Sequence, residues 1–304
     1  MKQTDLSLIP YLQLTAAMAI VGSSMVVGKI ITSSFPVFLA SGLSLGIASL
    51  IFVYLLIFSK YSIPKLNKKD LLVILLQAFL GTFIYRTLLL YGLRYTTAMQ
   101  SGIITSTGPA VIGVLSYLLL REKVTKNKLI GIICSVLGVL IINLNTVSAT
   151  SEQKAALLLG FSLVFGSVIV EALFSVLAKM VSTNVTPLVM AAFVTFFSFV
   201  MFLPFSVYEG LRFNYAQTNM ADWVSIVYYG LFVTVISFQL WFRGLSKVDA
   251  SAAGVFMGVV PVSSLILSYF ILKEPFYLSY LAGAAFVILG ISFIYKSHKY
   301  EPNK

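Results

Sequence analysis

Two ionisable side chains stand inside long apolar stretches of this chain, where a charge is costly and a functional role is the default expectation. Glu171 lies in the stretch 155–179 and Arg86 in the stretch 70–92. A buried carboxylate could carry a proton or bind a substrate amine, and a guanidinium could bind a carboxylate or phosphate through paired hydrogen bonds. Structural alternatives remain open. Glu171 could bond to a neighbouring helix or lie near the cytoplasmic interface, and Arg86 could reach helix carbonyls or the outer headgroups.

A polar stripe accompanies Glu171. Ser167 and Ser175 lie four residues before and after it, so all three side chains share one helix face. Arg86 is nearer the opposite end of its own stretch by residue count, which predicts that it and Glu171 lie on opposite sides of the membrane midplane.

Two prolines occupy the middle of apolar stretches at matching places in the chain. Pro109 and Pro261 each remove a backbone donor, which frees the carbonyls of Thr105 and Met257 four residues earlier. Freed carbonyls at membrane depth are tolerated where they face protein or a wet cavity. The prolines are therefore predicted to flank a central site, with ordinary packing as the alternative.

Several other polar or aromatic side chains could line a cavity, although an interhelical hydrogen bond is the alternative for each polar one. These are Gln77, Tyr85, Gln100, Thr105, Ser106, Thr234, Ser237, Gln239 and Trp241. Lys29 and Lys179 end their helices and are predicted to be interface anchors. One Cys and one His, His298, give no basis for a metal site, a catalytic residue or a bound cofactor.

The composition indicates that lipid is the solvent. Hydrophobic residues make up 59% and charged residues 10% of the chain, with a mean hydropathy of +0.97, whereas soluble proteins are about 25% charged. Apolar stretches near 20 residues, the length that crosses a bilayer, recur ten times. They run roughly 9–29, 36–58, 70–92, 97–119, 127–145, 155–179, 186–208, 221–242, 250–271 and 278–296. We number them as spans 1 to 10, and together they predict an all-α integral membrane protein.

The positive charges orient these spans. With the N-terminus inside, fifteen Lys and Arg residues fall on the cytoplasmic side and five on the outer side. This excess predicts that both termini are cytoplasmic, in a plasma membrane. The net charge of +11 is then a topology signal, and nucleic acid is not an expected partner.

The chain repeats itself. Residues 92–122 and 244–274 align without a gap at an offset of 152. The repeat divides the chain into two five-helix units, 1–150 and 151–304, with a short cytoplasmic tail from about 297. Because five crossings reverse the direction of the chain, the second unit should be inverted relative to the first, as in many secondary transporters.

These features resemble the EamA type of the drug/metabolite transporter superfamily. The resemblance covers nearly the whole chain and rests on matching motifs in both halves. They are Gly22 and Lys29 with Ala172 and Lys179; Pro109 and Arg121-Glu122 with Pro261 and Lys273-Glu274; and Gly131 and Gly138 with Gly283 and Gly290. One feature departs from the family pattern. The family often has Trp just before the small residue, whereas this chain has Val21 before Gly22 and Glu171 before Ala172. The resemblance implies transport of small metabolites, often amino acids or related compounds.

The sequence therefore predicts a secondary transporter that works by alternating access and is coupled to protons. A membrane-embedded enzyme is an alternative, but the chain has no Asp-rich metal motif and no His cluster. A non-transporting membrane sensor is another, but no loop is long enough for an output domain. The expected partners are a small-molecule substrate, protons and the lipid bilayer, with a monomer or homodimer both open.

The charge count makes a direct prediction about sidedness. In a Cys134→Ser background, single cysteines at positions 67 and 302 should be protected from an impermeant thiol reagent in intact cells and react after permeabilisation. Labelling of either position from outside would overturn the orientation.

Overall fold

The computed structural model describes residues 9–58, 67–105, 107–108, 110–111, 114–115, 126–142, 151–178, 185–245 and 256–299, and every regular element in these ranges is helical. Single α-helices form five of the spans. They are Ile9–Ser34 (span 1), Val37–Phe58 (span 2), Ser151–Ala178 (span 6), Pro187–Gly210 (span 7) and Leu278–Lys299 (span 10). Span 4 begins at Ala98–Thr105 and span 5 is Lys126–Ile142.

Within the described ranges, three spans contain a π-helical segment. Span 3 is α-helical over Lys68–Gln77, π-helical over Ala78–Ile84 and α-helical again over Tyr85–Tyr95. The segments of span 8 are Met220–Tyr228, the π-helix Tyr229–Ile236 and Ser237–Leu245. Span 9 runs through the 3₁₀ turn Phe256–Gly258, the α-helix Val259–Leu267 and the π-helix Ser268–Leu272. The first two π-helices match at the offset of 152 within one residue.

Six helices in the described ranges are long and apolar enough to cross a membrane, those of spans 1, 2, 3, 6, 7 and 8. Shorter apolar helices lie in spans 5, 9 and 10. Large apolar side chains also cover the outer surface, where Leu50 and Phe58 are 74% and 72% exposed. Such a surface suits lipid rather than water, and the chain is a multi-pass membrane protein. Predicted span 4 extends beyond the described residues, so the count of ten stays a prediction.

Helix starts follow from local sequence. Asn67 accepts a hydrogen bond from the backbone N–H of Asp70 at 2.7 Å, and Thr186 precedes a helix whose first residue is proline. At span 8, Asn219 and Asp222 form a reciprocal capping box, with bonds of 3.1 and 2.9 Å. These side chains satisfy backbone donors that a helix leaves free at its first turn.

The first helix of each half packs mainly against helices of the other half. Span 1 packs against spans 8 and 9 of the second half, and its equivalent, span 6, packs against spans 3 and 4 of the first. Spans 2 and 7 pack against each other, as do spans 5 and 10. Each half therefore completes its core only with helices from the other.

Spans 2 and 7 run antiparallel. Glu209, near the end of span 7, accepts a hydrogen bond from the backbone N–H of Leu39 at the start of span 2, at 2.7 Å. Further along, a Cβ on Gly42 would lie 2.5 Å from the Cβ of Ser206. The small residue at position 42 is therefore required for close approach between two helices of the same chain.

Charged side chains cap helix ends at one end of the bundle, which we call the capped end. Glu274 accepts hydrogen bonds from the backbone N–H groups of Ala98 and Met99 at 2.8 and 3.2 Å, at the start of span 4. The Nζ of Lys29 donates to the carbonyls of Leu93 and Thr96 at 2.5 and 2.6 Å, at the end of span 3. Lys29 is thus a helix cap and not the interface anchor that we expected. Both contacts place charge where the helix dipole favours it.

The Glu274 cap generates a stability prediction. Glu274→Ala leaves two backbone donors of span 4 without their carboxylate, which should lower the free energy of unfolding by about 1–2 kcal/mol. Thermal or denaturant unfolding of the purified protein measures the change. Glu152→Ala, which removes an exposed carboxylate in the first turn of span 6, is the matched control. Equal stability of both variants would contradict the capping role.

Candidate functional site

Arg86 joins three spans in the interior of the bundle. Its side chain is 6% exposed and follows the π-helix of span 3. Nη1 donates to Ser44 Oγ of span 2 at 2.9 Å, and Nη2 donates to Thr234 Oγ1 of span 8, also at 2.9 Å. The guanidinium lies over the ring of Tyr229, 4.6 Å from its centroid, in a cation–π contact. We call these four residues the Arg86 cluster.

The hydroxyls of Ser44 and Thr234 each donate their hydrogen to a backbone carbonyl. Ser44 donates to the carbonyl of Ser41 at 3.2 Å, and Thr234 donates to the carbonyl of Tyr229 at 3.0 Å. Each oxygen therefore presents its lone pairs to Arg86. These acceptors are neutral, and Arg86 forms no ion pair with any acidic side chain of the described residues.

Local backbone geometry explains why the cluster forms. The bond from Thr234 reaches a carbonyl five residues back, within the π-helical segment of span 8. At Gly230 an added Cβ would lie 2.6 Å from the carbonyl oxygen of Ser44. Only glycine allows span 8 to approach span 2 this closely, and the approach brings both hydroxyls within reach of one guanidinium.

Glu171 lies close to this cluster. It is partly buried in span 6 and is within electrostatic range of Tyr85, which also interacts with Arg86 and Tyr229. The sequence predicted opposite sides of the midplane for Glu171 and Arg86, and this stays a prediction. Tyr85 is the described side chain that lies within electrostatic range of both.

A small cavity lies beside Gln77 of span 3 and Phe238 of span 8, which correspond in the repeat to Tyr229 and Arg86. Gln77, Phe174, Met190, Ala191, Val194 and Phe238 line it. Gln77 corresponds to Tyr229 at the offset of 152, and Phe238 corresponds to Arg86. The amide of Gln77 is fully buried and finds no hydrogen-bond partner among the described residues, so the interhelical bond that was the alternative to a cavity lining is not seen. Equivalent positions of the repeat therefore hold different side chains: Arg86 corresponds to Phe238, and Tyr229 corresponds to the unbonded Gln77.

Comparison with known proteins places this arrangement in a family. The family model for EamA-like transporters matches residues 8–144 and again residues 158–296. The chain belongs to the EamA-like transporter family. It is 47% identical over 293 residues to YetK of Bacillus subtilis (strain 168), an uncharacterized transporter, covering 96% of this chain and 88% of that protein.

More distant relatives agree with the EamA-like assignment. An uncharacterized transporter of Archaeoglobus fulgidus is 29% identical over 256 residues, covering 84% of this chain and 87% of its own. A protein of known crystal structure superposes with a TM-score of 0.65 at 16% identity, covering 93% of this chain and 96% of its own. At that identity the superposition shows the fold alone.

Other predicted residues of this EamA-like chain have local roles in the structure. Thr105 and Ser167 donate to the carbonyls of Gly102 and Val164 in their own helices, at 3.1 and 2.7 Å. Trp241 packs beside Ala17. Gln239 is partly buried.

Of the two predicted prolines, the structure describes Pro261. Pro261 is buried in the first turn of the helix Val259–Leu267, directly after the 3₁₀ turn, so it marks a change of helix type. Ser106 and Pro109 lie outside the described residues, as do the side chains of Ser175 and Met257.

Sequence reasoning missed Ser44, Tyr229 and Gly230. Ser44 and Tyr229 are of types that are common in membrane helices, and only the approach at Gly230 brings them to Arg86. The sequence signal that could have found them is the internal repeat, because Tyr229 aligns with Gln77, which had been singled out as a polar candidate.

Gly230 offers a test of the cluster. Gly230→Ala should force spans 2 and 8 apart and lower transport strongly, because the new Cβ meets a backbone oxygen that cannot move aside. Gly166→Ala is the matched control, since its Cβ meets its nearest neighbour at an ordinary 3.4 Å. Both substitutions gain similar helix propensity, about 0.8–1 kcal/mol. Equal transport rates in the two variants would contradict the need for close approach.

Proposed function

We propose that this chain is a secondary transporter that carries a small organic metabolite, amino acid-like or drug-like, across the plasma membrane by alternating access. The observation that carries the proposal is the Arg86 cluster. It joins spans 2 and 3 of the first half to span 8 of the second, and both of its π-helical segments interrupt regular spans. Irregular backbone at the interface of two repeats is where substrate sites of such transporters are built.

The packing of the repeats supports this mechanism. Spans 2 and 7 are equivalent members of the two halves, and they run antiparallel, with Glu209 against Leu39. Antiparallel equivalents are what an inverted repeat requires. Two inverted halves can rock about the site between them and expose it to each side in turn.

The charge distribution supplies the orientation. With both termini in the cytoplasm, as the Lys and Arg count favours, the capped end faces the outside. Its contacts link the halves, because Glu274 and Glu209 belong to the second half and cap helices of the first. In this assignment the caps join the two halves on the outer side, and outward opening requires them to separate.

Glu171 is the proposed proton carrier. Tyr85 lies within electrostatic range of both Glu171 and Arg86, and it is the side chain through which the proposal couples a proton on Glu171 to the Arg86 cluster. Coupling needs this kind of link, since the proton must alter the free energy of the site that holds substrate. No cofactor is part of the proposal.

A proteoliposome assay tests the function as a whole. Purified protein is reconstituted and screened against amino acids and small drug-like compounds under an imposed pH gradient, with protein-free liposomes as the control. Accumulation that requires the protein and collapses with an uncoupler supports proton-coupled transport. Protein-dependent uptake that is indifferent to the gradient would remove proton coupling from the proposal.

The role of Glu171 can be isolated. Glu171→Gln keeps the shape and hydrogen-bonding capacity but cannot titrate, so gradient-driven accumulation should be lost while substrate exchange persists. Glu152→Gln, a change at an exposed residue of the same span, should transport normally. Loss of binding in Glu171→Gln would instead mark Glu171 as the partner of a substrate cation. Unchanged gradient-driven uptake in Glu171→Gln would contradict both the proton-carrier role and the role as partner of a substrate cation.

A further inference from the structure

Arg86 carries a full charge in the interior, and none of the described residues is a charged partner for it. Its side chain is 6% exposed, and its hydrogen-bond acceptors are the neutral hydroxyls of Ser44 and Thr234. Ion pairing with an acid is absent from the part of the chain that the structure describes. A guanidinium cannot shed its proton to escape this situation, and a buried charge without a counter-ion is strongly unfavourable. Burial of the uncompensated guanidinium therefore costs free energy, and a bound anion would lower that cost by supplying a counter-charge.

The donor geometry specifies the missing partner. A guanidinium has five N–H groups in one plane. Two of them are donated to Ser44 and Thr234, and the other three have no acceptor among the described residues. A planar carboxylate matches adjacent N–H groups of this fork through two parallel hydrogen bonds. The bonds to the two hydroxyls hold the fork in place before any ligand arrives, which reduces the entropy lost on binding.

The surroundings favour an organic anion over an inorganic one. Tyr229 covers one face of the guanidinium at 4.6 Å, and Tyr85 lies within electrostatic range. These rings offer apolar surface beside the charge, which suits the carbon skeleton of a carboxylate. Glu171 is the acidic group that shares Tyr85 as a neighbour with Arg86.

We propose that Arg86 is the anchor for the carboxylate of an organic anion, and that carboxylates are therefore the substrate class of this carrier. The inference rests on the proposed transport function and adds the chemistry of the substrate. Ser44 and Thr234 are positioning residues: they hold the guanidinium in the plane that the carboxylate meets.

The test uses binding to the purified full-length protein in detergent, so it is independent of transport. Acetate is the probe, and acetamide is its neutral counterpart of nearly the same shape. Acetate should raise the thermal unfolding midpoint in a saturable way, whereas acetamide at equal concentration should not. Arg86→Met should weaken the acetate response by at least about tenfold, as expected for loss of a charged hydrogen-bond pair.

Arg212→Gln is the matched control. Arg212 also lies over a tyrosine ring, 4.1 Å from the centroid of Tyr208, but both residues are exposed. This variant should keep the full acetate response. If Arg86→Met does not fold, Arg86→Lys keeps the charge without the planar fork and should still bind acetate more weakly than the wild type.

Several results would overturn the proposal. An equal response to acetate and acetamide in the wild-type protein removes the carboxylate site, and an undiminished acetate response in the Arg86 variants moves the site elsewhere. An Arg86-dependent response to phosphate without one to acetate assigns the site to phosphate. If the acetate response holds while the proteoliposome screen finds no uptake, the transport function fails and the anion site stands.

Discussion

The hydrocarbon interior of a membrane offers no hydrogen bonds, so each polar group placed there must find its partner within the protein. That constraint governs both regions where this chain concentrates polar groups. In the interior, one guanidinium is held by two hydroxyls that are themselves bonded to the backbone. At the capped end, the first backbone donors of span 4 bond to Glu274, and the last carbonyls of span 3 bond to Lys29.

The capped end also joins the two halves of the chain. Ser34 at the end of span 1 donates to Asp222 at the start of span 8, at 2.6 Å. Like the bonds of Glu209 and Glu274, this contact crosses from one half of the chain to the other. Separation of the halves at this end therefore exposes helix termini and carboxylates together, and water can hydrate both once they open. Each of these contacts therefore has a solvent substitute.

The sequence predicted the helical class, the two repeats and the ionisable interior residues, because these follow from hydropathy, spacing and the cost of buried charge. It did not predict how the spans pair across the halves. Arg86 could be identified as important from its depth alone, whereas Ser44 and Gly230 depend on a close approach that no local pattern encodes. Lys29 was assigned to the membrane interface because a lysine at the end of a membrane helix commonly lies there. In the structure its ammonium group instead donates to carbonyls at the end of span 3. For Gln77 the sequence left a cavity lining and an interhelical bond open, and only the packing of the helices could decide between them, because both roles need a polar side chain at the same depth.

The two matched π-helices bear on the history of the chain. A π-helical turn closes over one more residue than an α-helical turn, so a single inserted residue is enough to create one in an existing helix. The segments Ala78–Ile84 and Tyr229–Ile236 correspond at the repeat offset to within one residue. One insertion in an ancestral five-helix unit accounts for both, whereas insertion after duplication needs the same event twice at the same place. The distortion that brings Thr234 to Arg86 is thus common to both repeats, whereas the arginine is particular to one of them, because Phe238 stands at the equivalent position of the other copy.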